Sequence, residues 1–203
     1  MAIINQANKE LQVKIVYYGP GKGGKTTNLE QVHSHVGNVQ EKGKLVSLAT
    51  SSDRTLFFDF LPIEAMAIKG FKTKFQLYTV PGQVIYNMTR QLVLRGVDGI
   101  IFVADSQYEK MAENVESFQN LEDNLKTLKL DLAAIPYVLQ YNKRDLPNVA
   151  PVEYLEFLLN NREVQVPSFT SVASQCEGVF ESLNMITRML LNKFINEGAR
   201  KPA

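Results

Sequence analysis

The chain has 203 residues, 45% hydrophobic and 21% charged, the make-up of one globular domain with room for a substantial core. Its formal net charge of +1 excludes a global electrostatic drive towards nucleic acid or an anionic membrane. Cys176 is the single cysteine, so no intramolecular disulfide forms, and no apolar run is long enough to span a bilayer.

From the N-terminus, Met1 to Gln6 show no basic segment followed by an apolar core, no glycine follows Met1, and the C-terminus carries no prenylation cysteine. The expectation is a cytoplasmic protein without a direct membrane anchor. Residues 11–18 alternate as a strand. They lead into Gly19-Pro20-Gly21-Lys22-Gly23-Gly24-Lys25-Thr26, which fits G-x-x-x-x-G-K-[ST], and residues 27–32 open as a helix. Strand, glycine-rich loop and helix in that order form a phosphate-binding loop. Glycine lets backbone N–H groups turn in around phosphate oxygens, and the helix N-terminus adds a favourable dipole. Gly19, Gly21, Gly23, Gly24 and Thr27 are assigned to this cradle; Lys22 joins it or points to solvent, the second being favoured. The Lys25 ammonium reaches the β- and γ-phosphates, and the Thr26 hydroxyl is a ligand for Mg²⁺.

The helix is expected to run to about Val36, where Gly37-Asn38 ends it, and residues 40–55 read as loop-rich. Residues 56–61 and 71–80 read as strands joined by a short connection carrying Pro62 and Gly70, the one antiparallel hairpin expected. Residues 85–94 read as a helix, and residues 99–105 as an apolar strand buried on both faces. A long amphipathic helix over residues 109–128 places Val115, Phe118, Leu121, Leu125 and Leu128 at helical spacing. A buried strand (136–141), a short helix (152–159), a last strand (168–172) and a closing helix (179–195) follow. Strands and helices alternate along most of the chain, which indicates an α/β fold with a largely parallel sheet.

A phosphate loop alone fits ATPases, kinases and GTPases. Asn142-Lys143-Arg144-Asp145, directly after the strand ending at Tyr141, narrows the choice. A carboxylate accepts two hydrogen bonds from the N1–H and 2-amino group of guanine, a donor pair that adenine lacks. Asp145 takes that role. Asn142 either bonds the base or ties its loop to the phosphate loop, and the Lys143 stem lies along the ring face.

At this point the chain resembles the Ras-like small GTPases over nearly its whole length, and within them the MglA-like bacterial GTPases of cell polarity and motility. The resemblance is carried by Lys14-Ile15-Val16-Tyr17-Tyr18-Gly19-Pro20-Gly21, Arg54-Thr55-Leu56-Phe57-Phe58-Asp59-Phe60-Leu61-Pro62 and Phe75-Gln76-Leu77-Tyr78-Thr79-Val80-Pro81-Gly82-Gln83. Leu94-Arg95-Gly96-Val97-Asp98-Gly99 and Gln140-Tyr141-Asn142-Lys143-Arg144-Asp145-Leu146-Pro147 complete it. It implies a three-layer Ras-like fold, with a mostly parallel six-stranded sheet, one antiparallel hairpin and helices on both faces. The domain would span residues 1–197, with a disordered tail at 198–203.

The resemblance also implies roles. Gly82 offers its N–H to the γ-phosphate, and Gln83 orients the attacking water. Thr55 holds Mg²⁺ and the γ-phosphate, and the adjacent Arg54 is an arginine finger supplied by the chain itself. Val172 and Ala173, in Ser171-Val172-Ala173-Ser174, stand where the family bonds the guanine carbonyl through a backbone amide. One departure stands out: Thr79 occupies the position of the usual switch aspartate, a feature shared with the MglA-like group. Asp59, on the neighbouring strand, is a candidate replacement for the missing carboxylate. The implied function is a switch that binds GTP or GDP with Mg²⁺, hydrolyses GTP slowly alone and faster with an MglB-like roadblock-type partner, and engages polarity or motility effectors, recruited by partners to a cell pole. The alternative is a GTP-binding scaffold that does not hydrolyse.

Overall fold

The computed structural model describes residues 3–5, 9–36, 45–50, 54–68 and 71–199. Its strands are β1 (Ile3–Asn5), β2 (Glu10–Tyr18), β3 (Val46–Thr50), β4 (Arg54–Ile68), β5 (Phe71–Thr79), β6 (Gly99–Asp105), β7 (Tyr137–Asn142) and β8 (Ser168–Thr170). Its helices are α1 (Lys25–His35), α2 (Asn87–Leu94), α3 (Met111–Thr127), α4 (Val152–Leu159) and α5 (Val179–Ala199). The strands form one sheet in the order β3-β4-β5-β2-β6-β7-β8, with β1 also paired to β2. β5, β2, β6, β7 and β8 run parallel, whereas β1, β3 and β4 join antiparallel. The six strands expected from the sequence are all present; β1 and β3 are additions.

Period-2 alternation explains the two cores. On β2, Val16 and Tyr18 face one side, while Val13, Ile15 and Tyr17 face the other. On β6, Ile100, Phe102 and Ala104 split from Ile101 and Val103 in the same way. The first side is covered by α2, α3 and α4 through Val93, Leu94, Phe118, Leu121, Leu125, Leu155 and Leu159. The second is covered by α1 and α5 through Leu29, Val32, Val179, Ile186 and Leu190. Each large apolar side chain buried in this way contributes roughly 1.5–3 kcal/mol. Three layers result, and all of β6 is buried because it lies between β2 and β7 with a helix layer on either face.

Three expectations are corrected. Residues 46–50 and 54–55, read as loop, are strand: β3 is a short edge strand paired to the start of β4, too brief to show a clear alternation. β4 runs through Pro62 to Ile68 instead of ending at Leu61. Its pairing with β3 stops at Phe60, and beyond that point β5 alone adjoins it among the described residues, so a residue without an N–H is tolerated there. Gly70 lies outside the described residues. Val115, placed by its helical spacing on the apolar stripe of α3, is 42% exposed. The inward position goes to Asn114, fully buried, whose side chain accepts from the Asp105 N–H (3.0 Å) and donates to the Asp105 carbonyl (2.8 Å). A polar residue serving the end of β6 rotates the buried stripe of α3 away from Val115. At the C-terminus α5 extends to Ala199, and residues 200–203 of the expected tail lie outside the described residues.

Candidate functional site

In open parallel sheets, ligands bind beyond the carboxyl ends of the strands, where neighbouring connections diverge. Here the phosphate-loop motif joins β2 to α1 at that end. α1 begins at Lys25 with Gly24 as its N-cap, in the left-handed region (φ 101), and with no side-chain cap. A first helical turn without a side-chain cap leaves its N–H groups turned outward, which suits an anion. Glycine is required at 24: its backbone is left-handed, and a Cβ would overlap Asn142 Nδ2. Lys25 is buried, and its Nζ donates to the carbonyls of Gly19 (3.0 Å) and Pro20 (2.6 Å). Burial pushes its ammonium down to about 7; the charges of Arg90 and Lys143 add to this and Asp59 opposes it.

Asn142, the last residue of β7, is a three-way tie. Its Nδ2 donates to the Gly23 carbonyl (2.9 Å), and its Oδ1 accepts from Ser171 Oγ (3.0 Å) and the Ala173 N–H (2.9 Å). It therefore joins the phosphate loop, the loop after β7 and the loop after β8, the second of the two roles open to it. Lys143, at φ 66, pairs its Nζ with Asp105 Oδ2 at 2.7 Å, which anchors the ammonium at the end of β6. Asp145 is exposed on the same loop, without a side-chain hydrogen bond among the described residues.

Asp59 of β4 is fully buried. Its Oδ2 accepts from Thr26 Oγ1 (2.6 Å) and from Thr79 Oγ1 (2.9 Å), while its own N–H donates to Thr79 Oγ1 (2.9 Å). A carboxylate thus stands beside the Thr26 hydroxyl although residue 79 is not acidic. Hydroxyl and carboxylate oxygens side by side are hard donors of the kind Mg²⁺ takes.

Gly82 lies on the phosphate loop: a Cβ there would overlap Gly21 Cα and sit 2.6 Å from Gly21 N. Gln83 follows, half-buried in extended conformation (φ −88, ψ 133), its Cγ 4.0 Å from the place of a Cβ on Gly21. The phosphate loop, residues 79–83 and Asn142 thus come together at one end of the sheet.

The Ras family profile matches residues 14–192. The mutual gliding-motility protein MglA of Myxococcus xanthus is 51% identical over 198 residues, covering 98% of this chain and 100% of the relative. The chain belongs to the Ras family. Ras-related protein Rab-13 of Canis lupus familiaris is 28% identical over 140 residues, covering 68% of this chain and 66% of its own. An uncharacterised protein of Methanocaldococcus jannaschii is 27% identical over 149 residues, covering 73% of this chain and 81% of its own. Membership makes the chain a Ras-like small GTPase, a class that binds GTP and GDP with Mg²⁺.

Within this Ras-family site, the structure brings together Gly19, Gly21, Gly23, Gly24, Lys25, Thr26, Gly82, Gln83 and Asn142. Thr27 is half-buried in the first turn of α1, and Lys22 is exposed at φ 59. Val172 and Ala173 are buried, but the Ala173 amide, expected to face the guanine carbonyl, already donates to Asn142. A bond to the base would have to share that N–H. Arg54 and Thr55 open β4 opposite Thr50 and Ala49; their side chains lie outside the described part of the structure.

Sequence reasoning missed Arg90, which is fully buried. The available signal was its position: three and four residues before the apolar Val93 and Leu94, on the same helical face. It also missed the Asn28–Gln140 pair, two reciprocal amide bonds of 2.9 and 3.0 Å that tie α1 to β7. Among the described residues no helix is long and apolar enough to cross a membrane.

Proposed function

We propose that the protein is a nucleotide-operated switch that binds GTP or GDP with Mg²⁺ and hydrolyses GTP, and that the single GTPase domain expected over residues 1–197 carries this activity. The observation that carries the proposal is the contact of Gly82 with Gly21. A segment pressed against the phosphate loop responds directly to what that loop holds, so a γ-phosphate biases residues 79–83 and its loss releases them.

The N–H groups of residues 21–26 and the Lys25 ammonium take the phosphates. Asp145 accepts from the guanine edge, with Asn142 fixing its loop and Val172-Ala173 flanking it. Thr26, Thr55 and, through Thr26, Asp59 hold the metal. When bound, Mg²⁺ neutralises charge on the β- and γ-phosphate oxygens. Gln83 orients water for attack on the γ-phosphorus, and Arg54 draws developing charge off the transferring group.

The 51% identity to a gliding-motility protein over 98% of the chain supports a role in bacterial motility and polarity, in the cytoplasm and at a pole reached through partners. Ile85 and Met88 are 80% and 86% exposed, with Leu92 at 55%. An apolar stripe beside Gln83 supports docking of an MglB-like roadblock-type activator, or of effectors, on that side. Single-turnover GTP hydrolysis with and without such a partner tests the proposal. Slow turnover alone and faster turnover with partner is expected; binding without hydrolysis in both conditions leaves a scaffold.

A further inference from the structure

Arg90 is one of the largest side chains with no solvent exposure among the described residues. Its Nε–H donates to the Pro81 carbonyl (2.8 Å) and one Nη2–H to the Gly82 carbonyl (2.6 Å). Nη1 donates to Asn120 Oδ1 (2.6 Å) and to Tyr18 Oη (3.3 Å), and the guanidinium carbon lies 5.0 Å from the centre of the Tyr18 ring. Every acceptor is neutral: among the described residues no carboxylate pairs with Arg90. A buried cation without a counter-charge costs stability, and an apolar side chain of similar volume would pack there more cheaply. What the cation gains is a bidentate grip on two successive carbonyls of the segment that meets the γ-phosphate.

The grip has a directional consequence. A peptide unit is planar and trans, so its N–H points opposite to its C=O. With the Pro81 carbonyl held on Arg90, the Gly82 N–H is turned away from Arg90. With the Gly82 carbonyl held as well, the Gln83 N–H is fixed in the same manner. The guanidinium is itself seated on rigid elements. Asn120 of α3 accepts from Arg90 and from Tyr18 Oη (2.7 Å), and its Nδ2 donates to Asn87 Oδ1 (3.1 Å). Asn124 donates to Tyr18 Oη (3.0 Å), to Asn120 Oδ1 (3.0 Å) and to Asn87 Oδ1 (2.7 Å), and accepts from Gln91 Nε2 (2.9 Å). This amide–phenol network ties α2 to β2 and α3, and through Arg90 it sets the two peptides.

We infer that Arg90 is the positioning residue for the γ-phosphate sensor: by holding the Pro81 and Gly82 carbonyls it presents the Gly82 and Gln83 N–H groups to a triphosphate, and so sets the preference of the protein for GTP over GDP. The inference rests on the nucleotide-switch reading above and adds to it a residue outside the motifs.

The test measures equilibrium binding of fluorescent GDP and of a non-hydrolysable GTP analogue, with Mg²⁺, to the full chain, Arg90→Met and Arg90→Lys. Thermal unfolding reports whether each variant folds. Arg90→Met is expected to keep GDP affinity within about twofold and to weaken the analogue by about tenfold, the equivalent of one hydrogen bond to a charged oxygen. Arg90→Lys, with a compact donor in place of the fork, is expected to recover part of the loss. If Arg90→Met does not fold, Asn120→Ala keeps the cation and loosens its seat, and a smaller loss confined to the analogue is expected. An unchanged analogue-to-GDP ratio in the folded variants, or an equal loss for both nucleotides, overturns the inference while leaving the switch reading in place. Binding of neither nucleotide by the unaltered chain overturns the switch reading and the inference with it.

Discussion

Replacing Asp59 by asparagine is expected to raise the Mg²⁺ concentration at which the protein retains nucleotide. The carboxylate accepts from Thr26 Oγ1 at 2.6 Å and from Thr79 Oγ1 at 2.9 Å, without solvent contact. A hydrogen bond to a charged acceptor is worth about 1.5–3 kcal/mol and one to a neutral acceptor about 0.5–1.5. An amide that keeps its oxygen on both hydroxyls therefore loses about 1 kcal/mol per bond, about 2 in all. Half to all of that felt at the metal corresponds to about 5- to 30-fold in Mg²⁺ half-saturation. The assay is the release rate of fluorescent GDP over a Mg²⁺ series. Thr79→Val, which removes one of the two hydroxyls, is expected to move the half-point by a smaller step. Thr79→Asp alone would put a second carboxylate beside Asp59 and destabilise both, whereas Asp59→Thr combined with Thr79→Asp is expected to recover most of the affinity. A half-point in Asp59→Asn equal to that of the unaltered chain would refute the assignment of the metal-side carboxylate to β4.

Nucleotide affinity is expected to depend on pH through Lys25. Without nucleotide its ammonium is lowered to about 7, chiefly by burial; phosphate restores the proton, so binding takes one up. Affinity should be flat below pH 7 and fall above it by up to about tenfold per unit, about 1.4 kcal/mol; a flat titration from pH 6.5 to about 8.5 would contradict that coupling. Asp145→Asn is expected to reduce the preference for GTP over ATP by about 100-fold in a competition titration, and an unchanged preference would remove Asp145 from the base site. Gly82→Ala, whose Cβ would overlap Gly21 Cα, is expected to retain GDP and lose most hydrolysis, with about 1–3 kcal/mol of stability gone. Normal single-turnover hydrolysis in that variant would show that the close approach is not needed.

Much of the fold was legible because its signals are local. Residues 99–105 form β6 and residues 152–159 form α4 where the apolar run and the helical spacing put them. β3 was hidden because five residues are too few to show a clear alternation. The expected strand ended before Pro62 because Pro62 was read into the connection, and that it stays in β4 is known only once the pairing of β4 with β3 is seen to stop at Phe60. Val115 was misplaced because hydropathy cannot register a buried asparagine that serves a strand end.

The candidate site divides along the same line. The phosphate-loop motif and Asn142-Lys143-Arg144-Asp145 were readable because each is written in a few consecutive residues. By itself the sequence determined the Ras-like class and the order of most elements. The tertiary structure alone decided that Asp59 stands on Thr26 and Thr79, that Asn142 ties its loop to Gly23, and that Arg90 turns inward onto the Pro81 and Gly82 carbonyls. Each of these joins residues from separate elements, most of them across the sheet. A hydrogen bond formed across elements is fixed by register and packing, and neither is written in any short stretch of the chain.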